Sequence, residues 1–240
     1  MLSVHHLSLP GRLDGVALAL RAGRVAAIVG PNGAGKSSLL QAMAGVIAGD
    51  ARLDDAPLAT MPARERATRI GFLPQGGEVA WNLSVATLAR LGRLPHRTGA
   101  AEDDRAVAAA LADAGLTALA ARAVHTLSGG ERARALLARV LASEPQWVLA
   151  DEPLASLDLA QARALLRHFR ALAAMGKGVV LVLHDLAQAM NHADHVVVLD
   201  RGRIVAEGPP EAALDPAVIA QVWGVAARWL GGAGARALSW

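Results

Sequence analysis

The sequence predicts an α/β fold with a mainly parallel core sheet, an N-terminal antiparallel β part and a helical subdomain. Three observations carry this. First, apolar runs at 25–29, 147–150, 179–183 and 196–199 lack the in–out alternation of half-buried strands, as expected of strands covered on both faces. Second, helical patterns at 36–44, 131–142, 159–175 and 186–191 separate these runs, and strands alternating with helices argue for parallel pairing. Third, the block from 84 to about 123 turns Ala/Leu-rich with charges at helical spacing, which reads as a helical insertion.

In chain order, strands are expected at 2–9 and 15–21, divided by the Pro10-Gly11 turn signal. The buried strand 25–29 feeds a Gly-rich loop and a helix, and a further strand is expected at 69–73. The tail is Gly-rich at 231–234 and flexible in composition, whereas Val218, Ile219, Val222 and Trp223 fall on one helical face and are expected to pack. The expected organisation is one domain over 1–240, with a core formed by 1–74 and 144–240 and a helical subdomain at 75–143.

Composition narrows the function classes. At 240 residues and 53% hydrophobic, the chain can bury one sizeable core. It has no Cys, which fits a reducing compartment and excludes thiolate metal sites. The N-terminus lacks a signal-peptide layout, and the longest charge-free apolar runs, 37–49 and 216–227, fall short of the roughly 18 residues of a membrane span. A membrane role is therefore expected through a partner. Net charge is +3, the arginines are dispersed among acids and aromatics are 3%, so no nucleic-acid footprint is expected. Only two lysines occur, Lys36 and Lys177, which draws notice to Lys36.

Lys36 lies in Gly30-Pro31-Asn32-Gly33-Ala34-Gly35-Lys36-Ser37, a G-x-x-x-x-G-K-[ST] loop between a buried strand and a helix start. Glycines let backbone N–H groups approach phosphate oxygens, and the helix beginning near Lys36, which runs on through Ser38, points its positive dipole end at the same anions. Lys36 is expected to reach the β- and γ-phosphates of ATP, and Ser37 to ligate Mg²⁺. The strand at 147–150 ends in Asp151-Glu152, and ligand chemistry in open α/β sheets collects at such strand ends. Asp151 is expected to hold Mg²⁺ and Glu152 to orient and deprotonate the attacking water.

Further residues carry a family pattern. Leu127-Ser128-Gly129-Gly130-Glu131, with Arg132 and Arg134, resembles the ABC signature sequence. Gln75 resembles the Q-loop glutamine, Ser156-Leu157-Asp158 the D-loop, and His184 the switch histidine. With the phosphate loop and the acidic pair, the set stands in the family's order from Leu2 to about Gly208, so the chain resembles P-loop NTPase cassettes of ABC type. The resemblance implies a head-to-tail pair in which each ATP lies between one copy's loop and the other's Ser128, Gly129 and Gly130, with Glu131 and Asp158 nearby. It also implies that Gln75 touches Mg²⁺ or the water and that His184 bonds the γ-phosphate.

Leu91-Gly92-Arg93-Leu94-Pro95-His96 and the stretch 182–189 resemble the ATPases of iron-siderophore, haem and cobalamin importers. That implies transmembrane permease subunits as partners, a substrate-binding protein outside, and a place on the cytoplasmic face of the inner membrane. A plainer reading makes Arg93 and His96 surface residues of the helical part. An exporter cassette would share the nucleotide chemistry, and a soluble ABC ATPase acting on DNA or ribosomes would usually bring a second cassette or a long coiled coil. Two departures stand out. Glu131 occupies a position where many members have Gln, and no aromatic residue precedes Phe72 to stack on adenine, which leaves Arg12 as the candidate.

Overall fold

The computed structural model describes residues 1–76, 82–155 and 157–240. Strands β1 (Leu2–Leu9) and β2 (Leu13–Leu20) pair antiparallel across the Pro10-Gly11 turn. The second starts two residues before its expected position because Leu13 is buried opposite Leu9. Next come β3 (Val25–Val29), α1 (Lys36–Met43), β4 (Ala51–Leu53), β5 (Ala56–Pro57), α2 (Ala63–Arg69) and β6 (Ile70–Leu73). Helices α3 (Val85–Arg90), α4 (Ala100–Asp113) and α5 (Gly129–Leu141) form the helical insertion. The chain then alternates through β7 (Trp147–Asp151), α6 (Leu159–Ala174), β8 (Gly178–Val182), α7 (Leu186–His192) and β9 (His195–Asp200). It closes with β10 (Arg203–Gly208), α8 (Pro210–Ala213), α9 (Pro216–Trp223), β11 (Arg228–Leu230) and β12 (Ala237–Ser239).

The main sheet has the order β10-β9-β3-β8-β7-β6. Its five strands from β9 to β6 are parallel, and β10 pairs antiparallel at the edge. Both faces are covered, which explains the unbroken apolar runs. Ala27, Leu181 and Val198 face the side packed by α5 to α7, while Ile28, Val182 and Val197 face the side packed by α1 and the N-terminal sheet β2-β1-β4-β5. Each such fully buried Val or Leu stabilises the fold by roughly 1.5–3 kcal/mol. On the α1 side, Leu39, Leu40 and Met43 meet Leu2, Val4 and Leu53, so the helix that follows the phosphate loop is anchored against two sheets at once.

Several elements escaped the sequence reading for physical reasons. Helix α2 buries no residue, so it has no apolar stripe to read, and its last residue, Arg69, was expected in the strand that follows. Strands β4 and β5 are too short to show a period. The Gly-rich tail, flexible in composition, forms the antiparallel hairpin β11–β12. It is held by Trp229 Nε1 donating to the Leu214 carbonyl at 2.8 Å and by paired 2.8 Å bonds between the Asn191 amide and the backbone of Arg236. The expected packing of α9 is present, with Ile219 buried and Val218, Val222 and Trp223 against the same core. Among the described residues no helix is long and apolar enough to cross a membrane.

Candidate functional site

Four parallel strands end along one edge of the main sheet, and each delivers an expected site residue there. Strand β3 leads into the loop 30–37, β8 is followed by His184, β7 ends at Asp151 with Glu152 next, and β6 is followed by Gln75. The sheet order makes these neighbours in the sequence β3, β8, β7, β6. Register keeps the ends level, since Ile28 lies opposite Val182 and Val182 opposite Asp151. This is the strand edge at which α/β sheets collect ligands.

The edge opens into a cavity of about 520 Å³. Its lining runs from Asn32 through Gly33, Ala34, Gly35, Lys36 and Ser37 to Ser38, and it is completed by Gln75, Glu152, His184 and Arg12. Gly30 and Pro31 take part through their carbonyls, which accept from Lys36 Nζ at 2.8 and 2.9 Å. Gly30 is required by packing as well: a Cβ there would stand 2.0 Å from the Leu199 carbonyl oxygen of the neighbouring strand. Burial holds the Lys36 ammonium below its usual pKa, with Glu152 and Asp151 acting in the opposite sense.

Ser37 Oγ donates to Asp151 Oδ1 at 3.1 Å, which joins the helix start to the end of β7. Burial pushes the Asp151 carboxyl up, and the adjacent Glu152 adds to this, while the Ser37 bond and the Lys36 charge oppose it. Hard oxygens of this kind suit Mg²⁺, which takes one or two carboxylate or hydroxyl ligands and completes its shell with phosphate and water. Among the described residues no three His, Cys, Asp or Glu side chains converge as a cage. A cation at Ser37 and Asp151 would therefore depend on the nucleotide for the rest of its ligands.

Both oxygens of Glu152 are engaged. Gln75 Nε2 donates to Oε2 at 2.7 Å, and His184 Nε2 lies 2.6 Å from Oε1. Glu152 also sits at φ +48, an uncommon conformation for a residue with a side chain and one that occurs disproportionately at functional sites. Three residues read separately from the sequence thus form a single hydrogen-bonded unit at the mouth of the cavity.

The residues expected to form the signature and D-loop do not join this unit. Among the described residues, Ser128, Gly129, Gly130, Glu131 and Asp158 do not line the cavity of the chain's own phosphate loop. Helix α5 starts at Gly129, two residues before its expected start, so Gly129 and Gly130 lie in its first turn. Ser128 caps it: its Oγ accepts from Glu131 N at 3.3 Å, and Glu131 Oε2 accepts from Ser128 N at 2.8 Å. The reciprocal pair is a capping box, which gives the glutamate a local reason, and the bond its carboxylate accepts from Ser128 N, with the Ser128 hydroxyl next, holds the carboxyl below its usual pKa. Asp158 caps α6 by accepting from Gln161 N at 2.8 Å, while Ser156 of the expected D-loop lies outside the described residues.

The segment 91–96 departs from its plainer reading. Arg93 is only 3% exposed and takes part in a network of hydrogen bonds, and the His96 ring bonds the Ser143 carbonyl, so neither is a free surface residue. Sequence periodicity could not show this, because the segment is a short 3₁₀ turn without a repeating apolar face.

The family model described as ABC transporter matches residues 13–155. The chain is 47% identical over 216 residues to the hemin import ATP-binding protein HmuV of Nocardia farcinica (strain IFM 10152), covering 88% of this chain and 75% of that protein. A solved structure described as an inward-facing conformation of a metal-chelate type ABC transporter superposes with a TM-score of 0.84 at 26% identity, covering 99% of this chain and 95% of the other. A dimeric ATP-binding cassette in a post-hydrolysis state, bound to ADP and Pi, gives a TM-score of 0.78 at 25% identity, over 88% of this chain and 99% of that one. A phosphate loop, an acidic strand end and a glutamine–glutamate–histidine unit on one sheet edge, together with these matches, establish that the chain belongs to the ABC transporter family.

Proposed function

We propose that this chain is the ATP-hydrolysing subunit of an importer for a metal-chelate nutrient of the haem, iron-siderophore or cobalamin type. The observation that carries the ATPase part is the convergence of the phosphate loop, Glu152, Gln75 and His184 on one cavity, with Asp151 bonded to Ser37 beside it. Haem is the member of the class favoured by the hemin-import relatives, seen from Nocardia farcinica to Burkholderia cenocepacia. The permease partners, the outer binding protein and the place at the cytoplasmic face of the inner membrane belong to the same reading. So does the division into a core at 1–74 and 144–240 and a helical part at 75–143.

In this mechanism the ATP phosphates replace the Gly30 and Pro31 carbonyls as acceptors for Lys36. Ser37 and Asp151 would hold Mg²⁺, and the bound ion would supply positive charge beside the phosphate oxygens. His184 turns to the γ-phosphate and so frees Glu152 Oε1 for a water. Glu152 takes a proton from that water as its oxygen attacks the γ-phosphorus and ADP leaves. Gln75 remains on Oε2 and keeps the carboxylate aimed. Residues 128–130 of a second copy close the site with backbone amides at the start of α5.

Arg12, on the cavity rim, stacks on the adenine in place of an aromatic ring. Arg12→Ala should weaken ATP binding by about fivefold, the worth of roughly 1 kcal/mol of cation–π contact. Unchanged affinity by calorimetry would remove Arg12 from the site. The substrate class is tested in the host. A strain lacking this gene, or carrying Lys36→Ala, should fail to grow on haem as sole iron source and keep growing on ferric citrate. Growth on haem at the parental rate, with loss instead on a siderophore or of cobalamin uptake, would reassign the substrate.

A further inference from the structure

The segment 91–96 is unexplained by nucleotide chemistry, yet it is tightly built. Arg93 Nε donates to Asp103 Oδ1 on α4 at 2.8 Å. Its Nη1 donates to the Ala142 carbonyl at 2.9 Å and to Glu144 Oε2 at 2.7 Å, and its Nη2 to Thr98 Oγ1 at 3.2 Å. One guanidinium therefore ties α4 to the C-terminal cap of α5 and to the loop that leads into β7. Gly92 permits the approach, since a Cβ there would lie 2.0 Å from the Arg139 carbonyl of α5. On the far side His96 bonds the Ser143 carbonyl at 3.1 Å, and Arg64 of α2 donates to the Pro95 carbonyl.

The contacts to Arg139, Ala142, Ser143 and Glu144 gather on the joint between α5 and β7. The other end of α5 begins at Gly129, and the far end of β7 is Asp151 followed by Glu152. The joint therefore connects the signature residues to the acidic pair. Helix α5 has 13 residues, or about 20 Å, so a tilt of about 10° at the joint displaces residues 128–130 by about 3 Å. That exceeds the tolerance of a hydrogen bond. A buried arginine among carboxylates adds little net stability compared with apolar packing, so geometry is what such a clasp supplies.

We propose that Arg93 is a positioning residue that sets the angle of α5 and thereby the presentation of residues 128–130 to ATP held by a second copy of the chain. The proposal rests on the head-to-tail reading given above. It separates two properties: the chain's own ATP binding does not depend on Arg93, whereas turnover at the partner's site does.

The test is subunit mixing. Arg93→Met should bind ATP within about twofold of the parent but turn over about 10- to 100-fold more slowly, the scale of a misplaced group far from the chemistry. Lys36→Ala is inactive through its own loop. Mixed, the two should recover turnover, because one site of the mixed dimer joins the intact loop of Arg93→Met to the undisturbed signature of Lys36→Ala. A purely structural defect in Arg93→Met would not be rescued this way. Ser128→Arg mixed with Lys36→Ala is the control for the head-to-tail reading. Rescue in the control but not with Arg93→Met overturns the Arg93 proposal alone, and failure of both overturns the head-to-tail reading and the proposal with it. Parental turnover by Arg93→Met alone, or loss of its own ATP binding, also overturns it. If Arg93→Met fails to fold by circular dichroism, Glu144→Gln takes its place with the same expectations, since that side chain is 62% exposed.

Discussion

Lys36→Ala should lower ATP affinity by about 10²-fold and abolish turnover while leaving the fold intact. The ammonium is held by two loop carbonyls at 2.8 and 2.9 Å and lines the cavity in which the proposed mechanism seats the β- and γ-phosphates. A hydrogen bond to a charged group contributes about 1.5–3 kcal/mol, and about 3 kcal/mol is a factor of ~10² in affinity. The fold should survive because burial lowers the folded pKa of Lys36. A lysine whose folded pKa lies below its unfolded value costs stability at pH below the folded pKa, where it must stay charged; removing it relieves that cost. Calorimetric titration with ATP and a thermal melt check both halves. Near-parental affinity would sink the role of the loop.

The second large effect is on chemistry rather than binding. Glu152→Gln should bind ATP at close to parental affinity, hydrolyse it about 10²- to 10⁴-fold more slowly, and accumulate as an ATP-bound dimer. The substituted amide can still meet Gln75, but it cannot take a proton from water. The carboxylate is suited to that task by its setting: Gln75 and His184 hold its two oxygens, and the residue, at φ +48, lines the cavity. Phosphate release and size-exclusion chromatography with ATP report the two properties separately. Turnover at the parental rate would show that another group accepts the proton.

Much of the site was legible because its chemistry is written in short, contiguous motifs. The loop 30–37 and the pair Asp151-Glu152 each follow an apolar run, so their placement at strand ends could be reasoned from sequence. Gln75 and His184 were legible only through the family pattern, because a glutamine or a histidine after a strand has no distinctive chemistry by itself. Their shared hold on Glu152 joins residues 77 and 32 positions apart, and only the sheet order β8-β7-β6 brings them together. Arg93 was misjudged in the plainer reading for a related reason. Its partners lie on α4 and at the end of α5, up to 51 positions away, and local periodicity carries no signal from them.

Sequence alone determined the strands buried on both faces, the Gly-rich loop with its lysine and the acidic strand end, because each depends on residues adjacent in the chain. Tertiary structure decided what depends on distant residues. It set the level register that brings four strand ends to one edge, the engagement of both Glu152 oxygens, and the burial of Arg93 at the joint of α5 and β7. It also made strands and a hairpin of segments whose composition showed no period, such as β4, β5 and the Gly-rich tail. The physical reason is that apolar periodicity and turn chemistry act over a few residues, whereas pairing partners and buried charges are chosen by the packed chain as a whole.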